Sequence, residues 1–240
     1  AKGKGQRAKG KGQNMREEFK NSDLWRKRFL PHYDASLKYQ MIKYRLADSL
    51  PQDLLGAPHS DAGMDSNYRK SVESILDKGH GCCLLQFPAV DEKVIEAWKF
   101  FDKEKYDLIA YVVMPNHVHV LIKTYPENEL GRRVWSWKRH VSKFVFENEE
   151  LSKKFIVGVN KLSNVNCKSR APMSKQRYLK PASECGAPSN YKRTLWQREY
   201  WDRFIRDENH FNKDIEHIHE NPVKAGLVNE VTDWEWSSVQ

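Results

Sequence analysis

At 240 residues the chain can bury one good-sized core, or one core with appendages, and its 39% hydrophobic content still permits a globular domain. The formal net charge of +9 favours a polyanionic partner, nucleic acid first. The cysteines Cys82, Cys83, Cys167 and Cys185 form no C-x-x-C pair, which argues against a zinc ribbon or a secreted disulfide framework; with no apolar signal core and no membrane-length apolar run, the expectation is a cytoplasmic protein without a membrane partner.

Residues 1–13 repeat the hexamer AKGKGQ around Arg7 and carry no large apolar residue, so a flexible basic arm is expected over 1–23, ahead of a folded unit over 24–240. Such an arm serves equally as a nonspecific phosphate attractor or as a dispensable extension. The roughly alternating run Tyr39–Leu46 reads as a strand, with loop signals at Ser49-Leu50-Pro51 and Gly56-Ala57-Pro58. A helix is expected over 67–78, ending at Gly79, and the short apolar run Cys82–Phe87 reads as a strand. Val94, Ala97, Trp98 and Phe101 have helical spacing. Leu108–Val113 and His117–Ile122 read as two strands of a hairpin joined through Met114-Pro115-Asn116.

Leu130–Glu147 reads as a long helix, its inner face set by Leu130, Val134, Trp137, Val141 and Phe144. Arg132, Arg139 and Lys143 share another face, which suits an ordinary solvated surface and a phosphate-contacting one equally well. Residues 150–192 have weak periodicity and many Ser, Asn, Lys, Pro and Gly, and read as an inserted, partly disordered loop. Order resumes at Leu195, and a helix is expected over 208–220, ending before Pro222 because proline disfavours a helical residue ahead of it. Strand, helix, strand, helix, hairpin, helix, helix in that order predicts an α+β fold with an antiparallel sheet covered by helices.

His117 and His119 flank one apolar residue, so in a strand both imidazoles project from the same face. Neutral imidazole is a common ligand of divalent metals, and a metal there could polarise a phosphoryl oxygen. His-x-His by itself is a weak signal, because two packed histidines give the same pattern.

The string Tyr111-Val112-Val113-Met114-Pro115-Asn116-His117-Val118-His119-Val120-Leu121-Ile122 resembles the metal-binding motif of the single-tyrosine HUH transposases, and more specifically that of the REP-associated tyrosine transposases. Leu30–Ala35 and Arg45–Pro51 resemble that family's opening strand region, Leu195–Glu208 the segment before its catalytic helix, and Asn221–Val228 the segment after it. The resemblance spans roughly 24–238 apart from 150–192. It implies a ferredoxin-like core, as homodimer or monomer, that cleaves and rejoins single-stranded, hairpin-forming repeat DNA. It further implies a divalent ion, magnesium or manganese, held by His117, His119 and Asn221. One position departs from the pattern: where the family has its nucleophilic tyrosine, four residues before the Asn-Pro pair, this chain has His217. Tyr200 is the substitute nucleophile nearest upstream, although a packed aromatic is the better reading of it. If Asn221 did not fit, Asp214 or His210 would be the next ligand candidates. Arg132, Arg133, Lys138, Arg139 and Lys143 are the expected DNA contacts. Two alternatives follow: a descendant that binds repeat hairpins without cutting them, set apart by residue 217, and a ferredoxin-like RNA-binding module with incidental histidines.

Overall fold

The computed structural model describes residues 25–27, 31–33, 37–51, 66–156 and 194–239. The basic arm and most of the insert lie outside the described residues. Two short strands, β1 (Trp25–Lys27) and β2 (Pro31–Tyr33), pair as an antiparallel ribbon. The main sheet has four antiparallel strands in the order β4-β5-β3-β6: β3 (Tyr39–Arg45), β4 (Tyr106–Val113), β5 (His117–Thr124) and β6 (Trp201–Phe204). Helix α1 (Ser66–Asp77) and α2 (Pro88–Lys99) follow β3, α3 (Leu130–Glu147) follows the β4–β5 hairpin, and a further helical stretch, α4 (149–156), follows α3. Helix α5 (Glu208–Lys224) follows β6. With α2 and α3 as crossovers, β3-α2-β4-β5-α3-β6 is the ferredoxin-like βαββαβ order, so the expected α+β class holds.

The two faces of the sheet have different covers. Val118, Val120 and Ile122 of β5 point with Ile42 and Tyr44 of β3 toward Val94 and Trp98 of α2 and Val134, Trp137 and Val141 of α3, forming the larger core. The alternate residues Met41, Val112 and Leu121 point the other way, toward Ile218 of α5. This alternation follows from the period of two in a pleated strand. The odd-numbered residues of β5, His117 and His119 among them, therefore belong to the α5 side. Among the described residues no helix is long and apolar enough to cross a membrane.

Three expectations are corrected. Cys82–Phe87 is not a strand: Leu84–Gln86 forms a 3₁₀ turn, because Cys83 takes a left-handed backbone (φ 48°) that breaks an extended run. The Cys82 N–H is held by the Asp48 carboxylate at 2.8 Å, and a Cβ at Gly81 would lie 2.7 Å from the Asp48 carbonyl oxygen, so the backbone approaches there too closely for a side chain. The last helix does not stop at 220; it runs through Pro222 to Lys224. Asn221 and Pro222 are both buried, and the Ala225 N–H bonds the Asn221 carbonyl at 2.9 Å, so packing outweighs the hydrogen bond that proline removes. The insert starts later than 150, since α4 buries Leu151 and Phe155 in the larger core. Strand β6 was not expected at all; at four residues it pairs with β3 from Gln40 to Lys43.

Candidate active site

β5 sits between β4 and β3, and it carries His117 and His119 on the α5 face with both side chains buried and ring centroids 4.9 Å apart. The antiparallel register sets Arg45 opposite His117 and Lys43 opposite His119 on the same face. From above, α5 brings two residues four apart to this spot. The Asn221 amide nitrogen lies 2.9 Å from His119 Nε2, and the His217 ring lies 5.3 Å from that of His119. The described structure thus assembles His117, His119, His217 and Asn221 in one cleft.

The imidazoles are neutral at pH 7. Burial, reinforced by the Lys43 ammonium, pushes His117 down to about 3 and His119 well below the ordinary imidazole value. Burial also pushes His217 down to about 4, again with Lys43 as the next cause. His117 Nδ1 lies 2.7 Å from Asn116 Oδ1, while the Asn116 amide donates to the His80 carbonyl at 2.8 Å. With its NH₂ so engaged, Asn116 orients its oxygen to accept from His117 Nδ1–H, which leaves the His117 Nε2 lone pair for a ligand.

A divalent ion fits this donor set. Two neutral imidazoles and an amide oxygen are suitable ligands, and His119 Nδ1 is buried with no hydrogen-bond partner. Among the described residues no three His, Cys, Asp or Glu side chains form a metal-holding group, and the Asn221 amide is the polar group that meets His119 from α5. Asp214 and His210, the fallback ligands, sit 3.6 Å apart and are turned to each other and to Arg203, which pairs with Asp214.

Sequence reasoning missed Lys43 and Glu73. The Lys43 ammonium is 3.2 Å from His217 Nε2 and is ion-paired with Glu73 of α1. Burial pulls Lys43 below its ordinary value and Glu73 partly restores it. Burial pushes the Glu73 carboxyl up, but Lys43 more than offsets this, so Glu73 also lies below its ordinary value. Lys43 further packs over Trp201, whose other cation neighbour is Arg203. A lysine in an alternating strand and a glutamate on an ordinary helix carry no signal of their own. Only the β3–β5 register puts one of them beside the histidines.

Tyr200 is corrected out of the site. It packs against the larger core on the α3 side of the sheet, where its hydroxyl lies under Gly131 and its ring under Lys138. Lys138 likewise turns inward: its ammonium donates to the carbonyls of Gln197, Arg198 and Glu199 at 3.0 to 3.4 Å, and burial draws it down to about 7. It is thus a structural cation rather than an open phosphate contact. Arg133 is half-buried over the Phe101 ring. Arg132, Arg139 and Lys143 are exposed along α3, with Arg132 paired to Glu129 and Lys143 to Glu147. The exposed Trp135 lies between them under the Arg139 guanidinium. This stripe belongs to the helix layer on the opposite side of the sheet from the histidines.

Comparison with known proteins agrees with the motifs. The family described as "Transposase IS200 like" matches residues 89–162, which include α2, the hairpin with both histidines, and α3. A Haemophilus influenzae protein described as a REP-associated tyrosine transposase is 27% identical over 133 residues, 55% of this chain and 58% of that protein. The Escherichia coli REP-associated tyrosine transposase is 35% identical over 46 residues, 19% of this chain and 28% of its own length. The chain thus spans at most about three-fifths of these relatives. A solved structure of a REP-associated tyrosine transposase bound to a REP hairpin superposes with a TM-score of 0.44 at 16% identity, covering 87% of this chain and 80% of that one. Over these stretches, the chain is similar in sequence to the REP-associated tyrosine transposases.

Proposed function

We propose that this protein binds single-stranded, hairpin-forming repeat DNA, as a monomer or homodimer, and presents one phosphodiester to the cleft of His117, His119, Asn221 and His217. The observation that supports this is the convergence of those four side chains at the meeting of β5 and α5. A divalent ion, magnesium or manganese, would be held by His117, His119 and the Asn221 amide, and would supply charge stabilisation at the phosphoryl oxygens. Asn116 orients His117, and α5 fixes residue 217 over the sheet.

One observation favours the binding-only alternative over efficient cleavage. The lone pair with which His217 Nε2 would attack phosphorus faces the Lys43 ammonium at 3.2 Å, so it is engaged rather than free. A tyrosine hydroxyl also reaches farther than an imidazole, and its phosphate ester is the more stable. The sheet face of a ferredoxin-like RNA-binding module would be open for stacking, whereas here α5 covers it through Ile218 and Phe211.

The test incubates the natural protein and His217→Tyr with manganese and end-labelled hairpin oligonucleotides. The expected result is hairpin binding by both proteins and a covalent adduct only in the tyrosine variant. Hairpin binding by neither protein across a panel of repeats would refute the proposal, and an abundant alkali-stable adduct in the natural chain would refute its cleavage-deficient form.

A further inference from the structure

We propose that Lys43, carried on Glu73, forms a phosphate-holding subsite whose ligand is the non-bridging oxygens of the phosphodiester presented to residue 217. The inference rests on the reading of residue 217 as the nucleophile slot. Any group attacking phosphorus from that slot must come within roughly 3–3.5 Å of it. The Lys43 ammonium is already 3.2 Å from the His217 nitrogen that occupies the slot, which brings the oxygens around such a phosphorus into hydrogen-bond range of the same cation.

The cations close to the cleft are Lys43, Arg45 and Arg203, with Lys224 near His217, and the anions near Lys43 are Glu73, Asp77 and Asp214. A phosphodiester between the ammonium and the imidazole pair would accept a charge-assisted hydrogen bond from Lys43. An ammonium has three N–H donors, and its hydrogen-bonding partners, Glu73 and His217, account for two. Glu73 then serves to aim the side chain, and Trp201 walls it on the β6 side.

The experiment measures hairpin affinity while replacing the phosphodiester linkages, one at a time, by neutral methylphosphonate. Wild type, Lys43→Gln and Lys43→Arg are compared, with Glu73→Gln as a variant that leaves the ammonium in place. In wild type, one linkage at the foot of the hairpin should lose about tenfold in affinity on neutralisation. In Lys43→Gln that loss should vanish while the losses at other linkages persist; in Lys43→Arg and Glu73→Gln it should remain. An unchanged pattern of losses in Lys43→Gln overturns the proposal while leaving hairpin binding intact. Absence of wild-type binding to any hairpin refutes the functional reading itself. Displacement of the hairpin from wild type by inorganic phosphate alone at millimolar concentration would assign the subsite to a free anion and likewise overturn it.

Discussion

Asp91 carries an electrostatic load unrelated to the cleft. It lies in the first turn of α2, wholly buried, and neither carboxylate oxygen has a hydrogen-bond partner. Burial pushes its carboxyl up to about 9, with Glu92 adding to the shift. A helix N-terminus favours a carboxylate by only about 0.3–1 kcal/mol at the surface, too little to offset this burial. Because the folded value is raised, the folded state holds a proton that the unfolded state releases above its own ordinary value near 3.8. Stability from this group is complete below that value and falls as pH rises toward 9, by up to about 1.4 kcal/mol per pH unit. Asp91→Asn should therefore flatten the pH dependence of urea unfolding between pH 5 and 8, and should be more stable than wild type at pH 8. An unaltered slope would show that the carboxyl is ionised in the fold. No sequence pattern marks Asp91, since an acidic residue at a helix start normally reads as a favourable cap. Its problem arises from what packs around it. The histidine pair, by contrast, was legible because a spacing of two in a strand determines facing without further information. The direction of Lys43 was not, because it depends on which residue of another strand lies opposite.

The two central crossovers are tied to the sheet by buried aromatic hydrogen bonds. Trp98 of α2 donates to the Tyr44 hydroxyl of β3 at 3.0 Å, the Tyr106 hydroxyl of β4 donates to the Trp98 carbonyl, and Trp137 of α3 donates to the Tyr106 hydroxyl at 3.1 Å. Tyr106 is thus the link between α2 and α3, which pack side by side on this face. Tyr106→Phe keeps the ring but leaves a buried indole N–H and a buried carbonyl without their partner. Leaving a buried polar group unsatisfied costs about 1–3 kcal/mol. The expected outcome is a fall in unfolding free energy of about that size with an unchanged denaturant slope, read from urea titration; a loss within error would mean that water replaces the hydroxyl. At this scale the long elements were readable. The helix expected over Leu130–Glu147 has those bounds, because its apolar stripe is three turns or more of one period. Short apolar runs were not readable, as Leu84–Gln86 shows: six residues satisfy a strand and a helical turn alike, and the left-handed Cys83 decides between them. β6 was invisible for a related reason, since Trp-Asp-Arg-Phe becomes a strand only by lying along β3.

The described residues form a two-faced sheet, and the candidate nucleic-acid features among them fall on both sides. The histidine cleft lies under α5, while Arg132, Trp135, Arg139 and Lys143 lie on the outer surface of α3 in the opposite layer. A hairpin seated at the cleft could meet the α3 stripe only by a strand passing around an edge of the sheet. The β4 edge is already taken by the C-terminal segment, where the Val113 N–H bonds the Trp236 carbonyl and the Ser238 N–H bonds the Tyr111 carbonyl. Beyond the β6 edge Lys138 anchors residues 197–199, and among the described residues β2 lies against β6. With a net charge of +9, affinity for DNA should fall steeply with salt in any case. The contribution of the stripe is separable by neutralising Arg132, Arg139 and Lys143 together to Gln. If a single strand runs along α3, the slope of log affinity against log salt should become shallower by roughly 0.7 for each phosphate no longer neutralised, about 2 in all. That change should appear only for hairpins with a single-stranded tail long enough to leave the cleft, and not for a blunt hairpin. An equal slope with and without the substitutions, on tailed and blunt substrates alike, would mark the stripe as a solvated helix face and confine DNA to the α5 side of the sheet.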